Sequence, residues 1–326
     1  MDRFSVRFLC CPQCSATLID ATDDRMDCSG CSLAYPVRDG VPVLVIDEAT
    51  SRPAPTDAEF ERLIDEAVRA PFHGWDLSWL DARQTRTADG SADPTHQYDE
   101  RATMVVAQSS AVLDIGTGDG RRFARYAPFP SVAVATEGHA PNVLLAMQRL
   151  EPLGVQVVRS DENCHNSRGP QPGNRWPRRR LPFADDTFYL VLSSRAAFAP
   201  REVARVLRSG GTVLTLQGNS EWRGETLADA LGGTPPEWTL PGFGWDVGDS
   251  FRQAGLNIVQ WTDYTATVTY HDIGAVVYEL LHVPWGVVDF DLKRYRERLF
   301  RLHRRMRAED GFHTRAYTNL IEARKP

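Results

Sequence analysis

An α/β fold is predicted for the greater part of this chain from three observations. AVLDI, residues 111 to 115, is an apolar run of strand length that passes directly into a loop with glycines at 116, 118 and 120. SVAVATE is a second apolar run, ending in the carboxylate Glu137 seventeen residues after Gly120. Beyond it, apolar runs alternate with helical patterns as far as Gln217, the order that places parallel strands in one sheet with helices on its faces. A separate small module is predicted ahead of this core, because five of the six cysteines fall within the first 31 residues.

The bulk numbers agree with one main domain and a small module, since 326 residues are too many for a minimal domain and few for three. With 42% hydrophobic and 25% charged residues the chain has the composition of a globular protein. MDRFSVRFLCCPQC holds no apolar run of signal-peptide length, and eighteen consecutive apolar residues occur nowhere. A cytoplasmic protein without a membrane span is expected. A net charge of −6 argues against a surface built mainly to coat nucleic acid.

In the N-terminal module, Cys11-Pro-Gln-Cys14 and Cys28-Ser-Gly-Cys31 form a C-x2-C-x13-C-x2-C pattern. Four thiolates at the corners of a tetrahedron suit a structural Zn²⁺ and leave no open position for substrate water. Buried or redox thiol pairs are the alternative. Cys10 is out of register and is read as a non-ligand. A segment this short buries too little surface to fold alone, so metal ligation would supply the missing energy, and its role should be scaffold or docking. In LAYPVRDGVPVLV, residues Tyr35, Val37, Val41, Val43 and Val45 alternate about an Asp39-Gly40 turn, as a hairpin requires. The first fifty or so residues resemble the Trm112-like zinc-ribbon family, which occurs alone or fused to methyltransferases. The resemblance implies a zinc ribbon that docks a protein partner or its own chain.

Residues 1–48 are thus expected to form the ribbon. Residues 49–105 are expected to hold a linker (ATSRPAPT) and an N-terminal helical or lid segment, and 106–326 the main domain. Ala58 to Ala70 reads as a helix with Phe60, Leu63, Ile64 and Val68 on one side. FHGWDLSWLD is dense in aromatics, which suits a packed lid or core contact, with direct ligand contact as the alternative.

Glycine is needed at 116, 118 and 120 where the backbone turns sharply and approaches a ligand closely. A carboxylate at the tip of the second strand is where an α/β nucleotide fold bonds ribose hydroxyls. The dinucleotide fingerprint G-x-G-x-x-G needs glycine at 121, where this chain has Arg121. The spacing G-x-G-x-G behind Asp114 instead resembles motif I of the class I S-adenosylmethionine-dependent methyltransferases. That resemblance implies a Rossmann-like seven-stranded sheet. It also implies a cofactor held by Asp114 at the amino group, by Gly116, Thr117, Gly118 and Gly120 at the methionine part, and by Glu137 and Gly138 at the ribose. LPFADDTFYLVLSS would be the turn and fourth strand. PREVARVLRSGGTVLTLQ would be a helix, a break at Gly210-Gly211 and the fifth strand. Asp161 would meet the adenine amino group, or is a solvated loop carboxylate. The arginine-rich run from Arg168 to Arg180, with Trp176, reads as a solvated loop, with a phosphate or nucleic-acid strand as the sharper reading.

GLNIVQWTDY reads as the sixth strand and AYTNLIEARKP as the seventh, which in this superfamily is antiparallel and inserted beside the sixth. The fifty residues between them exceed a hairpin loop and are expected to be a helical lid insertion, 270–313, at the sheet's ligand edge. His271 opens it, as a proton acceptor or as a helix-end structural residue; Arg195, just past the fourth strand, is a candidate for substrate contact. Tyr295, Leu299, Leu302 and Met306 form one stripe, and eight Lys/Arg between Lys293 and Arg307 cover the other side, as on a surface helix or an RNA-facing one. FHGWDLSWLD, the glycine loop, VATEGHAPNV and YHDIGAVVYELLHVPW together resemble a bacterial group of class I methyltransferases of unassigned substrate, over about residues 72 to 326. Methyl transfer to a small-molecule nucleophile is therefore expected. The alternatives are methylation of a ribosomal-RNA or tRNA base and a non-catalytic S-adenosylmethionine-binding interaction protein. Ribosomal-RNA guanine methyltransferases also begin with a CPxC knuckle, but carry histidine in the second knuckle, where this chain has Cys28 and Cys31. Its first fifty residues hold eight Asp/Glu against four Arg, a poor surface for phosphates.

Overall fold

The apolar runs read above become strands, and the helical patterns between them become helices. The computed structural model describes residues 9–22, 24–28, 31, 33–51, 57–89, 94–160, 180–196, 198–218, 225–235, 247–283 and 286–326. The elements of the first half, in chain order, are β1 (Leu18–Thr22), β2 (Arg25–Cys28), β3 (Leu33–Arg38), β4 (Val41–Pro42), β5 (Thr50–Ser51), α1 (Ala58–Arg69), β6 (Gln84–Ala88), α2 (Pro94–Gln108), β7 (Ala111–Ile115), α3 (Arg121–Ala124), β8 (Val132–Glu137), α4 (Ala140–Leu150) and β9 (Gln156–Arg159). There follow β10 (Phe188–Ser194), α5 (Pro200–Val206), β11 (Leu207–Gly218), α6 (Leu227–Leu231), α7 (Val247–Gln253), β12 (Asn257–Tyr270), α8 (Ile273–His282), α9 (Arg296–Glu309) and β13 (Phe312–Arg324).

Two compact units result: Met1–Ala70 with Thr226–Thr234 and Thr269–Phe312, and Pro71–Glu225 with Pro235–Val268 and His313–Pro326. The segment expected as a lid, 270–313, thus falls in the first unit except for its last residue.

In the first unit, β1 to β4 pair in sequence order and β5 pairs with β3. Asp39 and Gly40 both have positive φ, 51° and 79°, as the two-residue turn of a tight hairpin demands, and Val37 pairs with Pro42 across it. Helix α1 is capped by the Asp57 carboxylate, which accepts from the Phe60 N–H at 2.7 Å. Its buried stripe is Phe60, Leu63, Ile64 and Ala67. The expected Val68 is 51% exposed, because at i+8 from Phe60 it falls at the edge of the stripe, about 80° round the helix from Phe60. Helix α8 is capped by Asp272 and packs on α1 and α9. In α9 the expected stripe holds: Tyr295, Leu299, Leu302 and Met306 are all buried. Arginines on its other side are held within the unit, Arg305 by Glu309 at 2.9 Å and Arg307 by Glu59 at 3.5 Å, and Arg294 just before the helix is held by Asp289 at 2.8 Å. Arg296 pairs with Glu61, and Arg298 donates to the Gly232 carbonyl at 2.6 Å.

The second unit is built on one sheet of order β9-β8-β7-β10-β11-β13-β12-β6. Strands β9, β8, β7, β10 and β11 are parallel, and β13 runs antiparallel to β11 from Thr212 opposite Arg324 to Gly218 opposite Thr318. The expected count of seven strands is corrected to eight. The extra strand is β6, whose sequence QTRTA is polar and almost wholly exposed; it lies at the sheet's edge, where no apolar pattern is required. The expected helix break at Gly210-Gly211 is instead a register jump inside β11, between the pairs Phe188–Leu207 and Leu190–Thr212. Both faces of the sheet are covered. Val112, Leu192 and Leu214 face Tyr98, Ala102, Phe123, Ala146 and Leu150 from α2, α3 and α4. Leu113, Val191 and Val213 face Val203, Ala204 and Phe251 from α5 and α7.

Helix α2 is fastened by three half-buried polar residues, Gln97, Asp99 and Arg101. Gln97 accepts from the Tyr264 hydroxyl of β12, Asp99 accepts from the Tyr126 hydroxyl and pairs with Arg122 at 3.4 Å, and Arg101 meets the buried Glu322 of β13 through two bonds of 2.7 and 2.9 Å. Arg101→Ala leaves the buried Glu322 carboxylate with only the distant Arg324, at 3.9 Å, as a partner. The expected outcome is a loss of about 2 kcal/mol, discounted because Arg101 is one third exposed, read as a lower denaturant midpoint at unchanged slope.

Candidate ligand site and four-cysteine cluster

Strand order reverses beside β7: β8 and β9 continue to one side, β10 and β11 to the other. In parallel α/β sheets the crevice at the strand ends of such a reversal is where ligands bind. Asp114 and Ile115 of β7 stand next to Leu192 and Ser193 of β10 on one side and Ala135 and Thr136 of β8 on the other. After β7 the chain turns through Gly116, Gly118 and Gly120, with φ of 69°, 63° and 76°, conformations that only glycine adopts without strain.

The loop and the end of β8 are tied by Glu137. Its Oε2 accepts from the Gly118 N–H at 2.8 Å and its Oε1 from the His139 N–H at 2.7 Å. Burial raises its pKa, while these N–H groups and that of Gly138 oppose the rise. The carboxylate keeps acceptor capacity for a hydroxyl donor. Asp114 is wholly buried, and burial pushes its carboxyl up to about 7, opposed by the Thr117 side chain and by Arg122 and reinforced by Glu137. Such a group has a strong demand for a cation that the described residues do not satisfy.

The FHGWD segment packs against this loop. A Cβ on Gly118 would lie 3.3 Å from the Trp75 ring, one on Gly74 would meet the Asp119 Cβ at 2.6 Å, and one on Gly120 would meet Leu150 at 2.9 Å. Asp76 pairs with Arg121 at 3.1 Å, and Asp119 with Arg149 at 2.9 Å. Trp75 itself has a positive φ of 66° and is 39% exposed, placed beside the loop rather than in a core. Of the two readings of FHGWDLSWLD, its first half is therefore a cover of the glycine loop.

The structure places Asp114, Gly116, Thr117, Gly118, Gly120, Glu137 and Gly138 together at the ends of β7 and β8. Arg195 is exposed at the end of β10, with positive φ of 59° and its N–H donated to Leu216 at 2.7 Å. His271 is exposed between β12 and α8, in the first unit. Asp161, Trp176 and the loop up to residue 179 lie outside the described residues, while Arg180 is exposed. Sequence reasoning missed Tyr98 and Asp119; the QYDE of α2 fell in a segment read only as linker and lid.

In the N-terminal module the ligand atoms of Cys11, Cys14, Cys28 and Cys31 all lie within 4.8 Å of one another. Cys11 and Cys31 are 3.7 Å apart and Cys14 and Cys28 3.4 Å, close to the ~3.8 Å edge of a sulfur tetrahedron drawn about a Zn²⁺. Burial pushes the Cys11 thiol up, but the Tyr35 hydroxyl at 3.1 Å and the N–H groups of Gln13 and Cys14 outweigh it and bring it down to about 7. The cluster can hold a metal ion. Cys10 is exposed and pairs only through its backbone with Thr17, outside the cluster as expected.

Five parallel strands reversing beside β7, with one antiparallel strand laid against the last of them and a glycine loop between Asp114 and Glu137, make this a class I methyltransferase fold. Residues 5–40 match the family model described as Trm112p-like protein. A UPF0434 protein of Methylobacillus flagellatus is 38% identical over 60 residues, 18% of this chain and 100% of that protein. A UPF0434 protein of Polynucleobacter necessarius is 44% identical over 52 residues, 16% of this chain and 88% of that one. Through its N-terminal module the chain belongs to this UPF0434, Trm112p-like family. Among solved structures, a candidate methyltransferase of Bacillus halodurans has a similar course at 18% identity and a TM-score of 0.46, over 70% of this chain and 98% of that one.

Asp114 has a consequence for stability. Burial holds its folded pKa at about 7, above the ordinary carboxylate value of 3.8, so the cost of ionising it is absent below pH ~4, sets in as pH rises and is complete above ~7. Asp114→Asn is expected to melt higher than the wild type at pH 8, by a few kcal/mol of stability to order of magnitude, with the difference fading toward pH 4. A pH-independent difference would contradict the assignment.

Proposed function

We propose that this protein is an S-adenosylmethionine-dependent methyltransferase acting on a small-molecule nucleophile, with a structural zinc ion in its N-terminal ribbon. The observation that carries the reading is the junction of Asp114, the three left-handed glycines and Glu137 at adjoining strand ends. The residues suit this cofactor: buried Asp114 for an ammonium group, Glu137 for ribose hydroxyls, and a loop without Cβ atoms between them.

When bound, the cofactor supplies a methyl group on a sulfonium, already activated for displacement. The chain's part is to hold the nucleophile in line at about 3 Å and keep water out. A base is needed only for an acceptor whose proton is held tightly; His271 is the candidate for that task and Arg195 for substrate contact. A small acceptor is supported over RNA by the net charge of −6 and by the α9 arginines, several of which are held by groups of their own unit. The ribbon's place is structural, with docking of a protein partner or of the same chain as its further role. The protein is expected in the cytoplasm.

Incubation with radiolabelled S-adenosylmethionine and separated metabolite, RNA and protein pools tests the reading. Label is expected in the metabolite pool; label in RNA alone would refute the small-molecule assignment, and no transfer to any pool would leave a binding protein. For the ribbon, metal analysis is expected to find about one zinc per chain, released by a thiol-reactive mercurial and essentially lost in Cys28→Ser.

A further inference from the structure

The four sulfurs of the ribbon meet outside partners on two opposite edges of their tetrahedron. One edge is Cys11–Cys31, at 3.7 Å, where the buried Tyr35 hydroxyl is bonded to the Cys11 Sγ at 3.1 Å. Once Cys11 is a thiolate, the hydroxyl is the donor. The opposite edge is Cys14–Cys28, at 3.4 Å. Its neighbour is Arg301 of α9, whose charge is felt by Arg298 and Glu297 on its own helix and by Cys28 and Cys14 of the ribbon. Ribbon and α9 belong to one compact unit, although they are far apart in the chain.

Most arginines of α9 are engaged. Arg296 pairs with Glu61, Arg298 donates to the Gly232 carbonyl, Arg305 pairs with Glu309 and Arg307 with Glu59. Arg301 makes no hydrogen bond or ion pair among the described residues, even with Glu297 one turn before it. A guanidinium crowded by protein without an acceptor loses hydration uncompensated. That loss is offset if the sulfurs it faces are charged. Four thiolates around a Zn²⁺ bear roughly two units of net negative charge, whereas four thiols bear none. Such charge at a half-buried site is itself costly unless donors and cations surround it.

We propose that Tyr35 and Arg301 clamp the metal centre from opposite edges, Tyr35 by its hydrogen bond to Cys11 and Arg301 by its charge toward Cys14 and Cys28, so that α9 takes part in retaining the metal. The assignment rests on the zinc reading above. It makes Arg301 a positioning residue of the ribbon, supplied by a helix outside it.

The test measures zinc transfer from the full, zinc-loaded chain to a chromogenic chelator. At low salt Arg301→Gln is expected to give up zinc about tenfold more readily than the wild type, and Arg301→Lys, which keeps the charge, to stay within about threefold. Tyr35→Phe is expected to lose retention about fivefold. Arg304→Gln removes an exposed charge three residues further along α9 and is expected to match the wild type within about twofold. Arg301 is exposed, so the gap between Arg301→Gln and the wild type should narrow at about 1 M salt, which a purely structural arginine would not produce. Retention in Arg301→Gln equal to the wild type, or an equal loss in Arg304→Gln, overturns the part of α9; unchanged retention in Tyr35→Phe overturns the other half of the clamp. Should Arg301→Gln fail to fold, Arg301→Met, which keeps the apolar stem, takes its place in the same comparison. A wild type that takes up no zinc overturns the zinc reading and the clamp with it.

Discussion

The Asp114 carboxyl is out of water at the point where the strands of the sheet part, and among the described residues it makes no ion pair. A buried acid left in this condition raises its pKa rather than bear the charge, and the fold has to tolerate that. Much of the second unit can be understood as the scaffolding of this position. Glu137 is spanned by the Gly118 and His139 N–H groups, which sets the distance between the ends of β7 and β8. Glycine at three places of the loop lets the backbone curl back over the strand ends while Trp75 and Leu150 close in where Cβ atoms would have been.

The supports reach the site from far apart in the chain. Asp99 ties α2 to the helix turn that follows the glycine loop, through Arg122 and Tyr126, and Asp119 in the loop is tied to α4 through Arg149. Arg101 and Gln97 carry the same helix to β13 and β12. A ligand site held within a few tenths of an ångström needs such bracing, because each bond alone is worth about 1 kcal/mol and only their agreement removes the alternatives.

The N-terminal module obeys a different constraint. Its buried core is Cys11, Leu18, Met26, Cys28 and Tyr35, too little apolar surface to offset the entropy of ordering some forty residues. Two of those five are thiols of the four-cysteine cluster, and Tyr35 bonds one of them, so the core and the metal site are one structure. In the first unit arginines of α9 are turned to Glu59, Glu61 and Glu309, which accounts for an arginine-rich helix in a chain of net charge −6.

By itself the sequence determined what depends on short-range chemistry. Paired cysteines at metal spacing, an Asp39-Gly40 turn, glycines where φ must be positive, and a carboxylate at the tip of β8 are each dictated by a few neighbouring residues, and they appear where they were read. Tertiary structure alone decided which distant groups share a space. Tyr98, some sixteen residues before Asp114 in a segment without a distinctive pattern, becomes its neighbour because α2 is bolted across the sheet. The polar strand β6 exists because an edge needs hydrogen-bond partners and not apolar side chains. The stretch from Thr269 to Phe312 joins the unit of the N-terminal segment because burial of α8 is satisfied by α1, some two hundred residues earlier, and no local pattern can carry that information.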